Sequence, residues 1–175
     1  NAPLLLYSKK DAAFNLTFDT KEGNFSLNNY HFTPVAQTDS TLTLRLTAAD
    51  GATLDVEYSL LPDNYLLNFT VKANGLAKHI PSATKALQID WKDRVAQHEK
   101  GFYFENMYST LTYKVHGDDT EKLSEAETEQ ESVTGQVDWV AFKNQYFSAV
   151  LMAAEPLSQV DLKSEQLDEK SGYLK

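Results

Sequence analysis

From Thr53 the chain reads T-L-D-V-E-Y-S-L, with apolar and polar residues alternating without a break. Period two is the period of a β-strand, so Leu54, Val56, Tyr58 and Leu60 take one face. Thr53, Asp55, Glu57 and Ser59 take the other. The same alternation comes just before, at Leu42, Leu44 and Leu46, and just after, at Leu67, Phe69 and Val71. Between these runs lie A-A-D-G (48–51) and L-P-D-N (61–64), both rich in turn formers. Residues 41–72 therefore read as a three-stranded antiparallel meander with one buried and one wet face.

Further strands are expected at 14–18, 25–32, 86–91, 108–115, 136–142, 146–152 and 157–162. Short strands joined by hairpins imply an all-β antiparallel sandwich rather than a parallel α/β sheet. A chain of 175 residues, 42% of them hydrophobic, suits a single domain over 1–175 with a sizeable core. No repeat or internal boundary is visible. Two stretches break the strand pattern. Residues 92–100 read as a short helix, ended by Gly101. Residues 117–132 hold seven carboxylates against one lysine. With only Leu123 and Ala126 to bury, that acidic stretch reads as a mobile loop or solvated helix. It lacks the glycine and ligand spacing of an EF-hand loop. Trp139, alternating with Val137 and Ala141, is expected on one face of a central strand whose other face carries Val140 and Phe142.

The formal net charge of −9 argues against nucleic acid as a partner and against docking on an anionic membrane. The absence of cysteine excludes disulfides, a thiol nucleophile and cysteine-bound zinc. The longest nearly apolar run, 146–154, falls short of the roughly 20 residues that span a bilayer. The N-terminal residues lack the basic n-region of a signal peptide. His31, His79, His98 and His116 show no metal-binding spacing, and solvated positions are the simpler reading for His98 and His116. No nucleophile elbow, phosphate loop or zinc-protease motif occurs, so no catalytic residue, metal or cofactor is expected. The aromatic cluster G-F-Y-F-E-N-M-Y-S-T-L-T-Y (101–113) offers two readings. Phe102, Tyr103, Phe104 and Tyr108 could line a peptide or sugar groove, or the cluster could be core plus a sheet edge. The core reading is the simpler one.

The segment W-V-A-F-K-N-Q-Y-F-S-A-V-L (139–151) resembles the W-V-A-x-x-x-Q-Y-F strand pair of the large periplasmic domain of the YidC membrane-protein insertase family of Gram-negative bacteria. The hairpin G-A-T-L-D-V-E-Y-S-L-L-P-D-N-Y-L-L-N-F-T-V is similar to that domain's hairpin, with Glu57 where the family often has Lys. Tyr108-Ser109-Thr110 matches its Y-S-T, and P-L-L-L-Y near the start resembles the segment following the family's first hairpin. The resemblance implies a galactose mutarotase-like β-supersandwich on the periplasmic side of the inner membrane. It also implies that flanking strands and all transmembrane helices of the family lie outside residues 1–175. It implies a non-catalytic role in the insertion and folding of membrane proteins, and an isolated domain that is soluble and monomeric. The implied partners, met through the full-length protein, are membrane-protein substrates and Sec translocon subunits. The alternative is a carbohydrate-binding or aldose-epimerase-like sandwich. Such a fold uses a His acid and a Glu base, which no motif here places.

Overall fold

The computed structural model describes residues 10–84 and 86–175. The P-L-L-L-Y segment lies outside them. Among the described residues the chain is built from antiparallel β-sheets, with one short α-helix and three 3-10 turns. Among the described residues no helix is long and apolar enough to cross a membrane. Contacts divide the chain into two compact units. One is Phe14–Trp91; the other joins residues 10–13 to Lys92–Lys175.

Strand β1 (Ala12–Thr20) lies between β2 (Gly23–Ser26) and β7 (Gln88–Asp93), a sheet most of whose residues belong to the first unit. The strand expected over 25–32 ends at Ser26, where Leu27–Asn29 turns into a 3-10 helix. Asn15 anchors that turn. Its Nδ2 donates to Ser26 Oγ at 3.0 Å, and its Oδ1 accepts from the Asn28 amide at 3.2 Å. The second sheet has the order β3 (Thr33–Gln37), β4 (Thr41–Thr47), β5 (Thr53–Leu60) and β6 (Leu67–Asn74). Strand β3, T-P-V-A-Q, has no alternation to betray it, and all five of its residues are exposed.

The meander over β4, β5 and β6 forms as its period dictates. Leu44, Val56 and Val71 share one cross-strand row, and Leu42, Tyr58 and Phe69 another. Leu54 and Val56 are buried, and the Phe69 ring meets Phe14 and Tyr58 edge-on. On the opposite face Arg45 aligns with Asp55, and Asp55 with Lys72. The Arg45 guanidinium donates to both oxygens of Asp55 at 2.7 Å. This bidentate bond, the strong geometry for an ion pair, holds the Asp55 carboxyl below its ordinary pKa. Lys72 pairs with Glu57 at 2.7 Å. The β4–β5 turn needs Gly51, whose φ of +87° belongs to the left-handed region.

In the second unit, β8 (Thr110–Val115), β9 (Thr120–Lys122), β11 (Val137–Lys143) and β12 (Ser148–Leu157) form a sheet of order β12-β11-β8-β9. A separate ribbon pairs β10 (Glu129–Val133) with β13 (Val160–Ser164). Leu111, Tyr113, Leu123, Val137, Val140 and Leu162 make one buried cluster, with Val133, Phe142, Leu157 and Val160 packed against it.

Three expectations are corrected here. Residues 92–100 form no helix. Strand β7 runs through Asp93, Val95 exchanges backbone hydrogen bonds with Leu174 and Lys175, and Ala96 bridges to Tyr173. The stretch has only adjacent Val95 and Ala96 to bury, not a stripe of helical spacing. Gly101 accordingly begins a helix, α1 (Phe102–Asn106), rather than ending one. The acidic stretch 117–132 is neither a helix nor a continuous loop. It contains β9 and most of β10, and Leu123 between them is fully buried. One apolar side chain suffices as an anchor when paired strands flank it. Finally, Val137 does not share the Trp139 face. A bulge between Val137 and Trp139 shifts the register, so Val137 joins Val140 and Phe142 in the core. Strand β11 is central, as its two apolar faces imply, and Trp139 is half-buried.

Candidate functional site

Helix α1 is a single turn, too short to stand on propensity. Positions 102, 105 and 106 fall on one side of it, and Phe102, Glu105 and Asn106 are all buried. Glu105, 1% exposed, is the anchor. Its carboxylate accepts from the amides of His98 (3.0 Å to each oxygen) and Glu99 (2.8 Å). Hydrogen bonds of this kind compensate the burial of a carboxylate. Asn106 Nδ2 donates to the Glu125 carbonyl at 3.0 Å, tying α1 to the acidic stretch. Lys175 Nζ donates to that carbonyl as well, at 2.6 Å.

The other side of the turn faces solvent. Tyr103 is 74% exposed, Met107 63%, Phe104 57% and Tyr108 43%. The Phe104 and Tyr108 rings meet edge-on with centroids 5.4 Å apart. Of the four candidate groove residues, Tyr103, Phe104 and Tyr108 thus come together at the surface, while Phe102 lies in the core. The 101–113 cluster divides into buried and exposed residues because one helical turn separates residues that a strand would only alternate. Met107 belongs to the exposed rim and was not singled out in the sequence, since a thioether carries no motif. Tyr146 and Phe147 are also exposed. The Tyr146 hydroxyl donates to Glu99 Oε1 at 2.9 Å, which raises the phenol's pKa. Glu99, in turn, is held by Glu105, so the 144–147 turn and α1 share one anchor.

Aromatic faces and a flexible thioether suit apolar side chains. The buried carboxylate of the turn, Glu105, is committed to backbone amides. His98 stands 3.5 Å from that carboxylate. His116 pairs with Asp138 at 2.7 Å, and His79 with Asp50 at 3.1 Å. Among the described residues no cluster of three or more His, Cys, Asp or Glu could hold a metal ion. The first unit offers a second surface. Thr38, Ser40, Tyr58, Leu60 and Leu67 help line a concavity of about 210 Å³ beside the exposed hairpin tip, where Tyr65 is fully solvated.

These features define an all-β module whose most exposed apolar surfaces are a helical rim and a hairpin tip. The chain belongs to the YidC periplasmic domain family, whose model matches residues 4–175. It is 43% identical to the membrane protein insertase YidC of Phocaeicola vulgatus, over 99% of this chain and 28% of that protein. It is 39% identical to the insertase of Bacteroides fragilis over the same shares, and 33% identical to that of Parabacteroides distasonis over 95% and 27%. The chain thus spans little more than a quarter of the length of these relatives. No solved structure matches it.

Proposed function

We propose that this chain serves as a non-catalytic periplasmic module of a membrane protein insertase. Its two units act together as one domain, and the α1 rim meets partner polypeptide. The observation that carries this reading is the division of α1. Phe102 and Glu105 lock one side, leaving Tyr103, Phe104, Met107 and Tyr108 exposed on a rigid base. Exposed aromatic clusters of this kind are typical of interaction sites, and pre-organisation lowers the cost of binding. Partners of matching chemistry are membrane-protein substrates or Sec translocon subunits, met by the full-length insertase on the periplasmic side of the inner membrane. The isolated domain is a monomer in this reading. Neither metal nor cofactor has a part in it.

The test is a photo-crosslinking amino acid at Phe104 of the full-length insertase in growing cells. Adducts with a Sec subunit or a newly made membrane protein are the expected result. A matched probe at exposed Lys21, in the other unit, should give few or none. Equal labelling from both positions, or none from Phe104 while insertion proceeds normally, overturns the assignment.

A further inference from the structure

A strand at the end of a sheet presents unpaired backbone donors and acceptors, and folded proteins guard such edges. Most of the terminal strands here are guarded. Strands β2 and β9 are only four and three residues long. Strand β3 carries Pro34, β6 carries Lys72, and β7, β10 and β13 each carry two or more charged residues. Strand β12 carries its guards, Glu155 and Pro156, only near its C-terminal end. It is ten residues long, ends its sheet's order and pairs with β11. Among the described residues no other strand pairs with it. From Ser148 to Ala154 it reads S-A-V-L-M-A-A, without charge, proline or glycine. Both of its faces are apolar. Leu151 aligns with core residue Val140, while Val150 and Met152 align with Ala141 and Trp139 on the far face. Val150 is 49% exposed and Met152 55%.

We infer that the outer edge of β12 is a strand-addition site for an extended, uncharged, apolar segment of another polypeptide. Backbone hydrogen bonds would supply the affinity, and Val150 and Met152 would contact alternate side chains of the guest. Charge disfavours a second copy as the guest. A second copy would bring one body of net charge −9 alongside another, and their mutual repulsion opposes edge-to-edge pairing. An uncharged guest meets no such barrier. The inference rests on β12 and not on the reading of the α1 rim.

The probe is a capped heptapeptide of alternating Thr and Val, titrated into the ¹⁵N-labelled chain. Amide shifts should concentrate in 148–154 and the paired residues 139–143. The same peptide N-methylated at alternate amides, so that one edge cannot bond, should bind at least tenfold more weakly. So should the parent peptide to Val150→Lys and to Met152→Lys, both exposed sites whose fold circular dichroism can verify. Equal binding of both peptides, shifts centred on 102–108, or no shifts at the peptide's solubility limit would each overturn the inference. Sedimentation showing a dimer that Val150→Lys dissociates would assign the edge to a second copy and overturn it too. Crosslinks from Phe104 without peptide shifts at β12 would sink this inference and leave the α1 reading standing.

Discussion

The meander over β4, β5 and β6 and the sheet β12-β11-β8-β9 are both antiparallel, but they place their polar residues differently. The meander gives one face to apolar rows and the other to Arg45, Asp55, Glu57 and Lys72, paired across strands. The β11 sheet carries apolar residues on both faces. One of them is covered by Leu162 and Val133 of the ribbon and by Leu123 of the acidic stretch. A sheet with a polar face finishes its own surface. A sheet apolar on both faces needs cover, and that cover comes from segments whose composition gives little hint of it.

The largest test of this contrast is Leu123→Ala. If the acidic stretch is docked through this residue, the cavity should cost about 3 kcal/mol, read from the urea midpoint. The meander comparison is Leu61→Ala, at 54% exposure, where the cost should be about 0.5 kcal/mol or less. Similar midpoints for the two variants would mean that 117–132 is not anchored by Leu123.

Trp139→Ala should rank next. Because the indole is half-buried rather than enclosed, the loss should be about 2 kcal/mol, below the 3–5 kcal/mol typical of a fully buried aromatic. Glu105→Ala should be of similar size, about 2 kcal/mol, because two backbone amides lose their acceptor. It should also accelerate proteolysis near residues 98–100, a local effect that Trp139→Ala should lack. Uniform protease resistance would show that the 98–99 loop is held by something other than Glu105.

The two sheets should also respond differently to pH. Arg45 depresses the Asp55 pKa in the folded state. That contribution is complete above the unfolded carboxyl value of about 4 and is lost as pH falls through the lower folded value. Urea midpoints of Arg45→Met should therefore fall less between pH 7 and pH 3 than those of the wild type. Parallel curves would remove the ion pair as a source of acid sensitivity. At the alkaline end the second sheet responds. Burial, reinforced by Glu131, pushes the Tyr113 phenol up to about 12. Its contribution is full below the unfolded value of about 10 and declines as pH rises toward 12. Tyr113→Phe should flatten that decline slightly, and phenolate absorbance should count as many early-titrating tyrosines in the folded variant as in the folded wild type. One fewer in the variant would place Tyr113 in water.

Period two settles strand identity wherever a sheet has one wet face, because each residue's polarity reports its side. For that reason the three strands of 41–72 could be read from the chain, although Leu60 and Leu67 on the apolar phase are exposed and Asp55 on the polar phase is buried, and β11 could be recognised as central from apolar residues at both phases. The resemblance carried by 139–151 likewise pointed to the family that the wider comparison then established. Local pattern fails where position depends on partners far along the chain. Val137 changes face through a bulge, Leu123 is buried by strands on either side of it, and 95–96 is extended because residues 173–175 supply its partners. The candidate rim follows the same division. An aromatic cluster at 101–113 was plain from composition. Burying Phe102 and exposing Tyr103, Phe104 and Tyr108 required a helical turn, which exists because the Glu105 carboxylate is held by the amides of residues 98 and 99. Alternation is a property of neighbouring residues, and it is written in the chain. Burial is a property of what packs above them, and it arises only when distant segments meet.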